Sequence, residues 1–352
     1  MEKEKILLCF CVFLALMQCG IGVEGALPSE WHRNRGLRLF VFGDSYADTG
    51  NFRKSVASSW KQPYGVTFPG RPTGRWSDGR VMTDFLASLL RIRSPLPYKW
   101  RRVAPKLLRF GMNFAYGGTG VFDTLVAAPN LTAQIGLFRG MIGDAKFSEA
   151  DVKSSIALVS VAGNDYTAYQ ARNGSIQDVQ TFVAAVVNQL AQNVKQIQEI
   201  GVKKIAVTAI EPFGCLPSAT ILSSYQKCNE TMNQISVFHN LLLKKAAEEI
   251  NNSTKVDGSA VALIDLYSAF MAAFQSQHTQ GKRRFENPLK PCCEGIRAGA
   301  DCGSIDPKSG EKLYKICDDP KSAFFWDGVH PSQRGWSAVS SYLHQTLNQL
   351  NL

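Results

Sequence analysis

Leu37-Arg38-Leu39-Phe40-Val41-Phe42-Gly43-Asp44-Ser45-Tyr46-Ala47-Asp48-Thr49-Gly50-Asn51 is the stretch around which the rest of this chain is organised. Its first six residues, Leu37 to Phe42, are mostly apolar, and short and aromatic enough for a buried strand. Gly43-Asp44-Ser45 follows at once, where a strand should give way to a helix. In open α/β sheets, ligands bind just beyond the carboxyl ends of the strands, so a hydroxyl delivered there is placed for chemistry. Ser45 is therefore a candidate nucleophile. The same residues also suit a plain helix cap, with Asp44 or Ser45 holding free N–H groups, and the stretch alone does not choose.

The far end of the chain bears on that choice. Phe324-Phe325-Trp326-Asp327-Gly328-Val329-His330-Pro331-Ser332 carries one of five histidines, three residues after an aspartate, in a stretch marked by Gly and Pro. A serine hydroxyl is a weak nucleophile until a base takes its proton, and the base needs a third group to hold its tautomer. Asp327 and His330 on one short loop could supply both. Asp-x-x-His alone reads equally as a surface turn; paired with Gly43-Asp44-Ser45 at the end of a first strand, it is far more specific.

With these residues in view, the sequence resembles the plant-type GDSL lipases and esterases, the SGNH hydrolases. Four separated blocks of that family match in order: Gly43-Asp44-Ser45, Asn113-Phe114-Ala115-Tyr116-Gly117-Gly118-Thr119-Gly120, Gly163-Asn164-Asp165, and Asp327-Gly328-Val329-His330-Pro331. The likeness runs from about Leu37 to the C-terminus. Arg75-Trp76-Ser77-Asp78-Gly79-Arg80 also resembles the plant members. One departure is Tyr46, where the family name expects Leu; that position should shape packing beside the nucleophile. The resemblance implies an α/β fold, a three-layer α/β/α sandwich on a parallel, flavodoxin-like sheet.

Between the blocks, Gln62 to Gly79 is rich in Pro and Gly and reads as an ordered loop over the serine, with Trp76 as an anchor. Arg80 to Leu90 has helical spacing of Val81, Phe85 and Leu89, and Ser94 to Pro105 reads as connection. The glycine block permits backbone geometry that side chains would block and lets an N–H approach a ligand closely. In the family register the donor falls on Gly118, while counting alone leaves Gly117 open; a tight turn is the plainer alternative. Ile156 to Val161 is another buried-strand run, ending at Gly163-Asn164-Asp165, where the Asn164 carboxamide could donate to a developing negative charge or simply sit in a turn. Ile176 to Gly201 is helical and Lys204 to Ile210 a strand. Ile221 to Asn252 contains a helix, Ala260 to Asp265 is a strand, Leu266 to Gln277 is helical, and a helix follows Ser332. Strands alternating with long crossovers argue a parallel sheet covered on both faces.

The 352 residues are 45% hydrophobic and 19% charged, as expected of a globular chain with a substantial core. Met1-Glu2-Lys3-Glu4-Lys5 precedes an apolar run from Ile6 to Met17 and small residues up to Gly25. That layout is of a secretory signal peptide, too short for a comfortable membrane span, with cleavage expected near Gly25/Ala26. The expected organisation is thus a signal over residues 1–25 and a single hydrolase domain over 26–352, with no integral membrane span. Removing Cys9, Cys11 and Cys19 with the signal leaves Cys215, Cys228, Cys292, Cys293, Cys302 and Cys317. An even number in a secreted chain suggests disulfides, and six cysteines allow about fifteen pairings. Cys215 and Cys228 could pair across a loop; the other four read as staples before the His330 block rather than as a metal site. Sequons at Asn130, Asn173, Asn229, Asn251 and Asn252 fit a secreted glycoprotein. The formal charge of +10 is scattered, without a nucleic-acid motif, and reads as solubility and loose attraction to an acidic cell wall.

What the resemblance implies for chemistry is ester hydrolysis without a metal or cofactor: His330 as base to Ser45, Asp327 orienting His330, and the N–H groups of Ser45 and Gly118 with the Asn164 amide receiving the oxyanion. Activity should fall in acid as the histidine base takes up a proton. Acyl transfer to an alcohol would use the same residues, and a non-catalytic binding or defence protein is the reading from another class. Small-molecule, lipid or polysaccharide acyl esters are the implied substrates, and neither acyl length nor oligomeric state is legible.

Overall fold

The first strand, β1 (Leu39–Gly43), is buried along its whole length. Both its neighbours run parallel to it: β3 (Gly111–Asn113) on one side and β4 (Ile156–Ser160) on the other. A strand covered on both faces and both edges exposes no residue to water, which is why its sequence reads as a continuous apolar run instead of alternating. The computed structural model describes residues 36–254, 258–275, 278–279, 282–283 and 285–352; the expected signal segment and its cleavage site lie outside them.

The central sheet has six strands in the order β2-β3-β1-β4-β5-β6, with β2 at Leu96–Pro97, β5 at Lys204–Ala209 and β6 at Ala260–Asp265. Every pairing in it is parallel. Setting aside the two-residue edge strand, the order is that of a flavodoxin-like sheet, and its direction of winding reverses between β1 and β4. Helices Leu131–Gly143, Val179–Ile200 and Glu230–Ser253 pack together against the sheet, and Met82–Leu89, Leu266–Gln275 and Gln333–Gln349 form a second packed group. Gly36–Leu352 is one compact unit, and one large apolar cluster fills the space between its layers. Among the described residues no helix is long and apolar enough to cross a membrane.

Local chemistry sets the element ends. Gly201 closes the helix Val179–Ile200 at φ +117°, a conformation that glycine adopts without steric cost. Ser332 caps the last helix, its side chain accepting from the Gly335 N–H. The helix expected from Arg80 begins at Met82, because the Asp84 carboxylate accepts from the Val81 N–H at 3.0 Å while also pairing with Arg75 at 2.7 Å. Among the elements not anticipated are the short strands β2 and β3, the helix Gly163–Ala171, and the hairpin of β7 (Cys293–Gly295) and β8 (Tyr314–Ile316). Each is too short, or too polar, to carry a periodic signal.

The six cysteines pair as Cys215–Cys228, Cys292–Cys317 and Cys293–Cys302. The adjacent Cys292 and Cys293 thus diverge to different partners. The two cystines of the hairpin build a second, smaller core with Tyr64, Tyr314, Ala323 and Trp326. Among the described residues no cluster of His, Cys, Asp or Glu could hold a metal ion.

Candidate active site

Gly43 is the residue that lets the site form. Its φ is +145°, and a Cβ there would lie 1.9 Å from the Ser160 carbonyl oxygen of the paired strand. Glycine therefore lets β1 run close to β4 up to the turn, where the Asp44 N–H donates to the Ser160 carbonyl at 3.0 Å. The side chain of Gln134 clamps the same point from above, accepting from the Gly43 N–H at 2.8 Å and donating to its carbonyl at 2.9 Å. The turn that follows is held by Asp48, whose buried carboxylate accepts from the N–H groups of Gly50, Asn51, Phe52 and Gly117. Ser45 sits on this rigid turn, buried but for its cavity side.

Ser45 Oγ lies 2.8 Å from His330 Nε2, and His330 Nδ1 lies 2.8 Å from both oxygens of Asp327. The contact spans nearly the whole chain and joins the first strand to the loop before the last helix. Asp327 Oδ1 also accepts from the N–H groups of Val329 and His330, and Oδ2 accepts from the Tyr64 hydroxyl at 2.7 Å. Burial alone would raise the pKa of this carboxyl; the charge of a protonated His330 and these hydrogen bonds outweigh it and hold the group below the ordinary carboxylate range. An acceptor kept ionised in this way favours the tautomer of His330 with Nδ1 protonated, in which Nε2 can accept from the Ser45 hydroxyl.

Two aromatic rings clasp the imidazole. Trp76 stacks on it with centroids 5.1 Å apart and planes at 27°, and Tyr46 meets it edge-on at 5.9 Å. The loop carrying Trp76 thus anchors on His330 rather than directly over the serine. Room for the indole comes from Gly117, where a Cβ would fall 2.4 Å from Trp76 Nε1. Tyr46, expected to shape packing, also donates from its hydroxyl to the Val329 carbonyl at 2.7 Å, one residue before His330.

The two remaining blocks meet beside the serine. Gly118 lies at φ +79° and is not among the residues lining the cavity; its N–H and that of Ser45 have no partner among the described residues. The Gly117 N–H, by contrast, is occupied by Asp48. Asn164 stands at the start of the helix Gly163–Ala171 and donates from Nδ2 to the Thr119 carbonyl at 2.9 Å, which leaves its second N–H without a partner among the described residues. Ala162 before it is held at φ +137°, a strained conformation of the kind that persists where surrounding structure enforces it. Asp165 ties the blocks together: its oxygens accept from the N–H groups of Val121 and Phe122 at 2.9 Å, and its burial raises its pKa from 3.8 to about 6.

Ser45, Asn164 and His330 line a cavity of about 670 Å³. Away from them its wall is largely apolar, with Val161, Ile210, Phe213, Leu216, Ile235 and Leu266 prominent. Glu211 also lines it, a buried acid that the sequence reading passed over. Its position follows the rule that singled out Ser45, since it too comes two residues past the end of a buried strand. Tyr64, also unanticipated, carried no such signal, because its loop reaches Asp327 only through the tertiary fold.

A parallel α/β sheet with a serine, a histidine and an aspartate hydrogen-bonded in series beyond its strand ends has the arrangement of a serine hydrolase. Comparison with known proteins makes this specific. The model of the GDSL-like Lipase/Acylhydrolase family matches residues 39–343. A GDSL esterase/lipase of Arabidopsis thaliana is 49% identical, with 97% of this chain and 97% of the relative covered. A second from the same plant is 48% identical over 99% of each. Acetylajmalan esterase 2 of Rauvolfia serpentina is 28% identical over 87% of this chain and 88% of its own. The chain belongs to the GDSL-like lipase/acylhydrolase family, and it is a hydrolase acting on ester bonds.

Proposed function

We propose that the protein is a secreted serine esterase that works through an acyl-enzyme on Ser45. His330 takes the Ser45 proton as the hydroxyl oxygen attacks the ester carbonyl, and Asp327 stabilises the imidazolium that forms. The N–H groups of Ser45 and Gly118 and the second N–H of Asn164 receive the oxyanion. The alcohol leaves with the proton held by His330; water, deprotonated by the same imidazole, then releases the acid and regenerates Ser45. Losing one oxyanion donor typically costs on the order of 100-fold or more in kcat, which is the loss expected of Asn164→Ala.

The observation that carries this reading is the unbroken series Ser45–His330–Asp327, at 2.8 Å in each step, opening on a cavity with a largely apolar wall. Three disulfides and the sequons support export into an oxidising, glycosylating compartment. The test is hydrolysis of p-nitrophenyl esters from acetate to palmitate by the wild-type protein and Ser45→Ala. Turnover that disappears in the variant is expected; turnover that survives in it excludes Ser45 as the nucleophile. Adding a competing alcohol distinguishes a transferase, which would form the new ester in preference to the free acid.

A further inference from the structure

Three neighbouring strands of the sheet, β1, β4 and β5, each deliver a polar side chain to the same crevice. From β1 comes Ser45, from β4 Asn164, and from β5, two residues past its end, Glu211. The first two have roles in the reading above. The third has none, although an acid in a largely apolar wall is costly unless it is partnered.

Glu211 is 7% exposed, and that exposure is to the cavity. One of its carboxyl oxygens, Oε1, lies 3.9 Å from where a Cβ on Gly163 would stand, beside Asn164. On its other side it reaches the Tyr46 hydroxyl. Tyr46 has a single O–H, and that proton goes to the Val329 carbonyl. Burial is the largest influence on Glu211 and raises its pKa, as it does for Asp44 nearby, while the Tyr46 hydroxyl and a charged His330 favour the ionised form. Neutral or ionised, the carboxyl keeps an oxygen with a lone pair to spare at the reacting end of the cavity.

We infer that Glu211 is a specificity-determining residue, which accepts a hydrogen bond from a substrate hydroxyl close to the scissile carbonyl and so favours hydroxylated esters over plain alkyl ones. The inference rests on the esterase reading of Ser45. A substrate hydroxyl can donate to Glu211 whether the acid is neutral or ionised. An alkyl group at the same place leaves the buried acceptor unpaired. Hydrogen-bonding sites discriminate against analogues that lack the group far more sharply than apolar pockets discriminate by size. Because Tyr46 already satisfies part of Glu211, the expected preference is about tenfold in kcat/KM, below the full effect of an isolated buried group.

The test compares p-nitrophenyl butanoate with p-nitrophenyl 3-hydroxybutanoate, using wild type, Glu211→Gln and Glu211→Leu, with Ser45→Ala as the blank. Wild type should prefer the hydroxy ester by about tenfold, chiefly in KM. Glu211→Gln, which keeps a carbonyl acceptor, should retain part of that preference. Glu211→Leu should abolish it while still hydrolysing the plain ester, which also shows that the variant folds. Equal turnover of the two esters by wild type, or a preference that survives in Glu211→Leu, overturns the inference and leaves the esterase reading standing. Absence of Ser45-dependent turnover of either ester overturns both.

Discussion

Ser45 and His330 meet at 2.8 Å, yet the two sides of that contact are built in different ways. The serine side is made of sheet. Gly43 is pressed against Ser160, Gln134 clamps the backbone, and Asp48 gathers four N–H groups under the turn. The histidine side is a loop without regular structure, held by the Asp327 carboxylate, two aromatic rings and the hydroxyl of Tyr64. Tyr64 belongs in turn to the small cystine-stapled core. A strand end and its turn therefore set Ser45, whereas a cross-braced loop, side-chain contacts and covalent staples set His330. Perturbations should separate the two halves.

The largest effect is expected at Gly43. Gly43→Ala puts a methyl group into the Ser160 carbonyl and should leave little folded protein, as circular dichroism and soluble yield would show. A well-folded, active variant would mean that β1 and β4 do not approach as closely as described. Next comes removal of Cys292–Cys317 by paired serines, which should cost about 3 kcal/mol of stability by the loop it frees. Calorimetry should register that loss together with a fall in kcat. Stability lost with kcat fully retained would show that the staples do not steady the histidine loop.

A change of pH probes the serine side through Asp165. Its pKa is 3.8 when unfolded and about 6 in the fold, so the folded state holds the proton more tightly. Stability then declines as pH rises from about 4 to about 6, by about 3 kcal/mol in full, and acidification restores it. Wild type should accordingly gain more melting temperature on going from pH 7.5 to pH 5 than Asp165→Asn gains. Identical gains would remove Asp165 as the source. The smallest effect is expected for Tyr64→Phe, which deletes one of the donors to Asp327. It should cost about 1 kcal/mol in stability and lower kcat several-fold with KM unchanged; a change in KM alone would place Tyr64 with the substrate instead.

Legibility followed the same division. β1, β4, β5 and β6 were all visible as buried apolar runs, and β6 was placed to the residue. Ser45, Asn164 and Gly118 stood out as candidates because each ends a strand or fills a glycine turn, features set by a few adjacent residues. Glu211 could have been found by the same rule. The small helix Gly163–Ala171 and the hairpin of the stapled core were not visible, since contacts distant in sequence hold them.

The sequence by itself determined the alternation of strands and helices, the six cysteines available for pairing, and the residue types the chemistry needs. These follow from local periodicity, glycine's freedom at positive φ, and the need of a serine for a base. Tertiary structure alone decided that Cys292 and Cys293 part company, that Tyr64 reaches Asp327, that Trp76 lies on His330, and that Glu211 faces the cavity. Each of these joins residues far apart along the chain, and such contacts exist only once the sheet has brought its strand ends to one edge.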